Sequence, residues 1–198
     1  VRIGYISGKL LQDHVVKAEI LLHGSFATTG IGHGTDKALI AGLLGMRPDD
    51  IRIPDSFFLA KKDGMEFSFS TITLKDAHPN TAVLRLTGEH GRKIEVQAAS
   101  IGGGRILIAK LDGIEVNFSA EKPTLIVHNV DQPGHVAQVT SMLAEKQVNI
   151  ATLQLYRDKR GGYAVMVIET DQEVPEESVA WLEQLDGIIK VTYINVEE

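Results

Sequence analysis

Apolar residues near the start of the chain recur with the spacing of an amphipathic helix. Within residues 2–12 the residues on one helical face are Ile3, Ile6, Leu10 and Leu11. The stretch Lys17–Phe26, with the apolar run Ile20–Leu22 inside it, predicts a strand. A second helix is predicted at Thr35–Gly45, because threonine suits an N-cap and glycine suits the position after the last turn.

A glycine-rich segment joins this strand to this helix, and its composition is not one that a hydrophobic core requires. His23–Ala38 combines glycines, two histidines and several hydroxyl side chains with the carboxylate of Asp36. A bend of this kind brings backbone N–H groups and a helix N-terminus together, where small anionic groups are well accommodated. The segment is therefore a candidate for function.

From Glu66 to Phe118 the pattern changes to short strands and tight turns. Phe67 and Phe69 alternate with serines, which indicates a strand with two different faces. Four further strands are predicted at Thr81–Thr87, Lys93–Ser100, Arg105–Leu111 and Ile114–Phe118. The pair Asp112-Gly113 between the last two is a strong hairpin signal.

Polar residues and a proline at 119–123 interrupt the pattern, and we place a domain boundary there, between residues 1–119 and 123–198. Beyond it the predicted order is strand, helix, strand, strand, helix, strand, which implies a ferredoxin-like antiparallel sheet with two helices on one face. These elements are Thr124–Asn129, His135–Gln147 with Val136, Val139 and Leu143 inward, Asn149–Arg157, Gly162–Thr170, Pro175–Leu185 and Ile188–Val196. The predicted fold class is α+β with two domains.

Composition narrows the range of functions. The 198 residues carry a net charge of −6, and the 20 lysines and arginines are scattered, which argues against nucleic-acid binding. The chain has no cysteine, so it forms no disulfide and supplies no thiolate ligand to a metal. No stretch reaches the roughly twenty apolar residues of a membrane span, and no signal peptide is visible, so we expect a cytoplasmic protein.

Three clusters are candidates for chemistry: His23–Asp36, Asp76–Thr81 and Ser100–Gly104. Each follows the end of a predicted strand or precedes the start of one, so we expect them to converge on one rim of the domain. Three other kinds of site fit the sequence less well: a dinucleotide-binding loop, a histidine metal site and a serine nucleophile. The glycine spacing differs from that of a dinucleotide-binding loop, the histidines lack a helical metal-binding spacing, and Ser25 does not lie in a nucleophile elbow.

The C-terminal domain resembles an ACT domain, a small amino-acid-binding regulatory module, over residues 123–196. The resemblance rests on the loop Asp131–Val136, on Val148-Asn149-Ile150 and on Gly161-Gly162-Tyr163-Ala164. It implies that two modules pair and that an amino acid contacts Asn129, Asp131 and Gly134 at their interface. The alternative is that Asn129 and Asp131 only cap the helix and hold the turn.

Four motifs followed by an ACT domain resemble the β chain of bacterial iron–sulfur-dependent L-serine dehydratases, and this resemblance covers essentially the whole chain. The motifs are His23-Gly-Ser-Phe-Ala27, Gly30-x-Gly-His-Gly-Thr-Asp36, His78-Pro-Asn-Thr81 and Ser100-Ile-Gly-Gly-Gly104. The resemblance also relates the first domain to the allosteric substrate-binding domain of some D-3-phosphoglycerate dehydrogenases. The family's Ser-Ser-His-Thr motif is expected just before Arg2, so we expect further sequence to precede Val1.

The resemblance implies an L-serine ammonia-lyase, a lyase that converts L-serine to pyruvate and ammonia and so feeds gluconeogenesis. In this family a separate α subunit holds a 4Fe-4S cluster through its cysteines, and the β chain completes the active site as a heterodimer. This chain would then hold no metal itself and be inactive alone. The rival function is a purely regulatory module that senses an amino acid and contributes no catalytic residue.

The same resemblance assigns the site residues. His78 is expected to handle a proton or orient the substrate carboxylate, and Asn80 to donate or accept a hydrogen bond. The histidine of the Ser-Ser-His-Thr motif is the other candidate base. Residues expected at the substrate or partner site are Thr81, His33, Asp36 and Ser25. The simpler alternative is that His78 binds a local backbone carbonyl, and that Gly30, Gly32 and Gly34 only permit a tight bend.

Overall fold

A computed structural model describes residues 1–30 and 32–195, and its internal contacts divide the chain into two units, Val1–Gly113 and Ile114–Glu198. This division falls one strand before the polar segment 119–123, where the sequence predicts the domain boundary. The predicted boundary itself stays a prediction.

The first unit is a sheet with helices packed on it. Its helices are α1 (Arg2–Leu11), α2 (Ser25–Thr28), α3 (Thr35–Leu43) and α4 (Ser56–Lys62), with a 3₁₀ turn at Ile53–Asp55. Its strands are β1 (Val15–Leu22), β2 (Glu66–Thr71), β3 (Thr81–Gly88), β4 (Lys93–Gly102) and β5 (Arg105–Leu111). They lie in the order β2-β1-β3-β4-β5, with β1 and β2 parallel and the other neighbours antiparallel.

The parallel pair β1 and β2 determines where the connecting segments lie. Both strands end at the same edge of the sheet, where Leu22 is opposite Thr71. The antiparallel strand β3 starts at that edge, since Ala82 also pairs with Leu22. Strand β4 returns to it, and Thr81 pairs with Ala99. The segments that follow β1, β2 and β4 therefore leave the sheet at one edge, which we call the motif edge.

The predicted apolar face of α1 forms part of the core. Ile3, Ile6, Leu10 and Leu11 are at most 4% exposed, and the helix packs against α3 and strands β3, β4 and β5. These side chains bury on one side of the sheet, which confirms the helical spacing that the sequence shows.

Two expectations for the first unit are wrong in detail. The strand predicted to continue to Phe26 ends at Leu22, because Gly24 has a positive φ of 57° and Ser25 begins the short helix α2. Thr35 is not the N-cap of α3; Gly34 takes that position with φ 72°, and Thr35 is the first helical residue. The glycine expected after the helix is confirmed, since Gly45 has φ 80° just beyond the C-cap.

The second unit contains β6 (Ile114–Phe118) and a four-stranded antiparallel sheet in the order β10-β7-β9-β8. Its other elements are β7 (Thr124–Val130), α5 (His135–Glu145), β8 (Ile150–Arg157), β9 (Tyr163–Thr170), α6 (Glu176–Glu183) and β10 (Ile188–Ile194). Both helices share one core with alternate residues of the sheet, as shown by Leu143 and Leu182 packing with Val127. This confirms the predicted ferredoxin-like arrangement and the α+β class.

One helix face in this unit differs from the prediction. Val139 and Leu143 are buried as expected, but Val136 is 37% exposed. The buried face of α5 instead begins at His135 and includes Met142, positions that share a face with Val139 and Leu143. The predicted end of the last strand, Val196, lies outside the described residues.

The turn predicted at Asp112-Gly113 has positive φ at both residues, 48° and 82°, as a type I′ turn requires.

No helix among residues 1–30 and 32–195 combines the length and apolar character needed to cross a membrane.

Candidate functional site

Backbone hydrogen bonds join three of the sequence motifs at the motif edge. The N–H of His23 donates to the carbonyl oxygen of Thr81 at 3.0 Å, and the N–H of Ser25 donates to that of Pro79 at 2.8 Å. On the other side, the N–H of Ser100 donates to the carbonyl oxygen of Asn80 at 2.9 Å. The segment 78–81 therefore lies between the start of the glycine-rich segment and the end of β4.

The close approach of these segments requires a glycine at position 24. Gly24 adopts φ 57°, ψ −126°, and a Cβ atom there would lie 2.5 Å from the carbonyl oxygen of Pro79. Real side chains do not tolerate either the dihedral angles or the contact. The glycine thus allows the backbone of residues 78–81 to pack directly on residues 23–25.

A cavity of about 320 Å³ lies beside this junction within the first unit. Its polar lining consists of Arg2, His33, Thr35 and Ser100, and Phe26 and Ile106 contribute apolar surface. Arg2 donates from Nη1 to the carbonyl oxygen of Gly104 at 3.2 Å, so the start of α1 is tied to the turn after β4. The cavity therefore combines residues from three of the sequence motifs with a cation.

The ring of His33 is held so that one nitrogen remains an acceptor. Its Nδ1 atom lies 2.7 Å from the carbonyl oxygen of Thr29. A carbonyl oxygen only accepts, so Nδ1 carries the proton and, in the neutral ring, Nε2 has the lone pair. A histidine with this proton placement can accept a proton at Nε2.

The ring of His78 carries its proton on the other nitrogen. Its Nδ1 atom lies 3.1 Å from the backbone nitrogen of Asn80, which is a fixed donor. Nδ1 is therefore the acceptor, and the neutral ring carries its proton on Nε2. His78 is exposed, so this N–H is presented to the surface as a hydrogen-bond donor.

The remaining predicted residues of the first unit differ in accessibility, and none of them lines the cavity; neither does His78. Thr81 is 1% exposed, and its hydroxyl donates to the carbonyl oxygen of His78 at 2.6 Å. Asn80 is half-buried between the two backbone contacts described above. Ser25 is exposed at the start of α2. Asp36 lies in the first turn of α3, and its Oδ1 accepts from the N–H of Lys37 at 2.8 Å.

Two residues of this region are not among the sequence-predicted site residues. Arg2 precedes the family motifs in the chain, and His23 belongs to a motif without having been assigned a role. Both residues make hydrogen bonds to residues far away in the sequence; Arg2, for example, donates to Gly104. The position of His23 directly after an apolar strand is the signal that could have indicated it.

In the predicted ligand loop of the second unit, Asp131 and the Nδ2 group of Asn129 have local partners, but the buried Oδ1 atom of Asn129 has no hydrogen-bond partner among the described residues. Asp131 accepts from the N–H of Gly161 at 2.9 Å and from Nη1 of Arg157 at 3.2 Å, which joins this loop to the β8–β9 turn. Asn129 is 2% exposed and donates from Nδ2 to the carbonyl oxygen of Val130 at 2.7 Å. Gly134, with φ 106°, is the N-cap of α5, and no side chain caps that helix.

Metal binding finds no support in the arrangement of the described residues. Within 1–30 and 32–195, His, Asp and Glu side chains form no group of three able to hold a metal ion. His23, His33 and His78 therefore do not form a common metal site. The structure gives each of their Nδ1 atoms a separate backbone partner.

The second unit, with its antiparallel sheet and two helices on one face, is an ACT domain; the ACT domain family matches residues 123–187. The Serine dehydratase beta chain family matches residues 5–60 of the first unit. The chain is therefore an α+β protein that contains an ACT domain.

Similar proteins identify the family. The chain is 33% identical to the L-serine dehydratase beta chain of Peptoniphilus asaccharolyticus, over 98% of this chain and 88% of that protein. It is 35% identical to the probable L-serine dehydratase beta chain of Bacillus subtilis, over 98% of this chain and 87% of that protein. This chain belongs to the L-serine dehydratase beta chain family. It is also 27% identical to D-3-phosphoglycerate dehydrogenase of Methanocaldococcus jannaschii, over 98% of this chain but 36% of that enzyme.

Proposed function

We propose that this chain is the beta subunit of an L-serine ammonia-lyase, which converts L-serine to pyruvate and ammonia together with a separate alpha subunit. Membership of the family supports the reaction. The observation that carries a catalytic role for this chain is the opposite proton placement on His33 and His78, at an edge where the family motifs meet. One ring offers a proton acceptor and the other a proton donor.

Elimination of water from serine requires removal of the proton on Cα and protonation of the departing hydroxyl group. In the proposed mechanism Nε2 of His33 accepts the Cα proton, and the electrons of the C–H bond form the Cα–Cβ double bond. His78 donates a hydrogen bond from Nε2 to a substrate oxygen, with Asn80 beside it. The Cβ–O bond breaks, the departing hydroxyl group takes up the proton that His33 removed from Cα and leaves as water, and the aminoacrylate product hydrolyses to pyruvate and ammonia.

In this proposal, cysteines of the alpha subunit would hold a 4Fe-4S cluster, which would act as a Lewis acid toward the serine hydroxyl. This chain has no cysteine, so its own residues do not fit a cluster. We further propose that the ACT domain self-associates, that the assembly works in the cytoplasm, and that its pyruvate feeds gluconeogenesis.

The test is a reconstituted complex of this chain with its alpha subunit, assayed for serine-dependent pyruvate formation. His78→Ala is expected to lower kcat by about 100-fold, the usual contribution of a positioned proton-transfer group. Wild-type turnover of His78→Ala at saturating serine would contradict the catalytic role. A change in cooperativity alone would instead support the rival function, a regulatory module that senses an amino acid. The isolated chain is expected to form no pyruvate.

A further inference from the structure

We propose that His23 is a positioning residue that fixes the loop carrying His78 and Asn80. This loop, residues 72–80, connects β2 to β3 and is called the β2–β3 loop below. The catalytic consequence of this inference rests on the proposed function. The structural part, the attachment of the loop to His23, stands on hydrogen bonds within the first unit.

The start of the loop is bound to the end of β1 and to the His23 ring. The N–H of Ile72 donates to the carbonyl oxygen of Leu22 at 2.9 Å and so extends the pairing of the two parallel strands. Two residues later, the N–H of Leu74 donates to Nδ1 of His23 at 3.2 Å. The His23 side chain thus takes over where the strand pairing stops.

The end of the loop is bound to the backbone of the same residue. The N–H of His23 donates to the carbonyl oxygen of Thr81 at 3.0 Å, and the neighbouring N–H of Ser25 donates to that of Pro79 at 2.8 Å. His23 therefore contacts the start of the β2–β3 loop through its ring and Thr81, the residue directly after the loop, through its backbone.

The contact with Leu74 also defines the form of the ring. A backbone N–H is a fixed donor, so Nδ1 of His23 must provide the lone pair. The carbonyl oxygen of Ile72 lies 3.3 Å from the same nitrogen, but a proton on Nδ1 donated to that oxygen would leave the N–H of Leu74 without this acceptor. The neutral ring that satisfies Leu74 therefore carries its proton on Nε2.

The contacts inside the loop explain why its anchoring matters. His78 is joined to Asn80 and to Thr81 by hydrogen bonds, so the residues at the end of the loop are connected to one another. Without the His23 ring, the start of the loop loses the hydrogen bond from Leu74, and the bond from Ile72 to Leu22 at the end of β1 remains. A displacement of about 1 Å at catalytic groups is enough to lower turnover by roughly 100-fold.

Three substitutions at position 23 separate the role of Nδ1 from that of the ring as a whole. His23→Asn places an amide oxygen near Nδ1 and is expected to retain the bond from Leu74. His23→Gln places its polar group near Nε2, and His23→Ala removes both nitrogens. In the reconstituted complex we expect kcat to fall by about 10- to 100-fold in the Ala and Gln variants, and by less than about threefold in the Asn variant. KM should change less than kcat in all three.

Amide hydrogen exchange of the same variants, measured on this chain, reports whether the β2–β3 loop is attached to His23. This measurement does not depend on catalytic activity. The Leu74 amide should lose protection in the Ala and Gln variants and keep it in the Asn variant. Thr73→Ala, which truncates an exposed side chain of the same loop, is the matched control and should leave both readouts unchanged. Equal behaviour of Asn, Gln and Ala at position 23, or a protected Leu74 amide in the Ala variant, would overturn the positioning role.

The two proposals fail in different ways. If His78→Ala has wild-type turnover, the proposed catalytic role of His78 is wrong, and the exchange data still decide whether His23 holds the loop. If His78→Ala is inactive while His23→Ala retains full kcat, the proposed function stands and His23 has no positioning role.

Discussion

The carboxylate of Asp13 lies 2.8 Å from the imidazole of His90, measured from Oδ1 to Nδ1, although 77 residues separate them in the sequence. The Asp13 side chain is 3% exposed and that of His90 is 79% exposed. Asp13 also accepts the backbone N–H groups of His90 and His14 at 2.9 and 2.8 Å. The pair thus connects the turn before β1 to the turn between β3 and β4.

This pairing makes the stability of the first unit depend on pH. The side-chain hydrogen bond with His90 lowers the pKa of Asp13, and the same bond raises the pKa of His90. Stabilisation through His90 is complete below the ordinary histidine pKa of about 6.5 and is lost as pH rises through the raised value. Stabilisation through Asp13 is present above the ordinary aspartate pKa of about 3.9 and is lost as pH falls through the lowered value.

We therefore expect the Asp13–His90 pair to stabilise the chain most between about pH 4 and 6.5. The difference in free energy of unfolding in urea between the wild type and His90→Gln should be larger at about pH 5.5 than at about pH 8.5. The two chains differ only at position 90, so this difference isolates His90. A difference of the same size at both pH values would contradict the expectation.

A second prediction concerns two glycines of α1 that have different surroundings. A Cβ atom on Gly4 would lie 2.1 Å from the carbonyl oxygen of Leu39 in α3, whereas one on Gly8 would meet Leu43 at an ordinary 3.7 Å. Alanine raises helix propensity at either position by about 0.5–1 kcal/mol. Gly8→Ala should therefore stabilise the chain by about that amount.

Gly4→Ala is expected to destabilise the chain by about 1–3 kcal/mol, because α1 and α3 must move apart to admit the methyl group. Chemical denaturation of the two variants and the wild type provides the comparison. Since the substitution is the same and the helix is the same, opposite signs would show that the close contact, and not propensity, sets the cost. Equal effects would mean that α1 does not approach α3 so closely.

The extent to which the sequence predicts this fold depends on how local the signals are. The apolar face of α1 and the turns that bound β3, β4 and β5 depend on neighbouring residues, and these elements are found close to their predicted positions. The sequence shows no comparable helical pattern around α4, because large apolar residues there are exposed. Ile51, shortly before the helix, is 92% exposed, and Phe58, within it, is 70% exposed. Exposed apolar residues obscure the periodicity on which a prediction relies.

The sequence predicts that the motifs converge on one rim of the domain, but it does not predict the contacts that join them. Convergence of the motifs follows from the parallel pairing of β1 with β2, and such pairing joins residues far apart in sequence. The ring of His23 and the amide of Leu74 are 51 positions apart, so no local pattern indicates their contact. Proton placement on a histidine likewise depends on the partner that the fold provides.

A third prediction concerns the loop after β7 in the ACT domain. The hydrogen bond from Gly161, with a further contribution from Arg157, lowers the pKa of Asp131. Asp131→Ala removes the acceptor and should speed amide hydrogen exchange at Gly161, whereas Asp131→Asn retains an oxygen and should preserve most of the protection. If exchange at Gly161 is the same in all three chains, the carboxylate is available for a ligand instead of holding the turn.

The fourth prediction tests the proton placement on which the proposed mechanism depends. Heteronuclear NMR of the ring nitrogens, at a pH where both rings are neutral, should show the proton of His33 on Nδ1 and that of His78 on Nε2. The physical reason is that Thr29 offers a carbonyl oxygen to one ring and Asn80 offers an N–H to the other.

Substitution of Thr29 would leave its backbone carbonyl in place, so the mutational test replaces the two histidine side chains instead. In the reconstituted complex His33→Gln, which keeps a polar group near Nε2 but cannot accept a proton there, should lower kcat by about 100-fold. His78→Gln keeps an N–H near Nε2 and should retain more activity than His78→Ala. The reverse order, with His33→Gln active and His78→Gln as impaired as His78→Ala, would assign the proton acceptor to His78 instead.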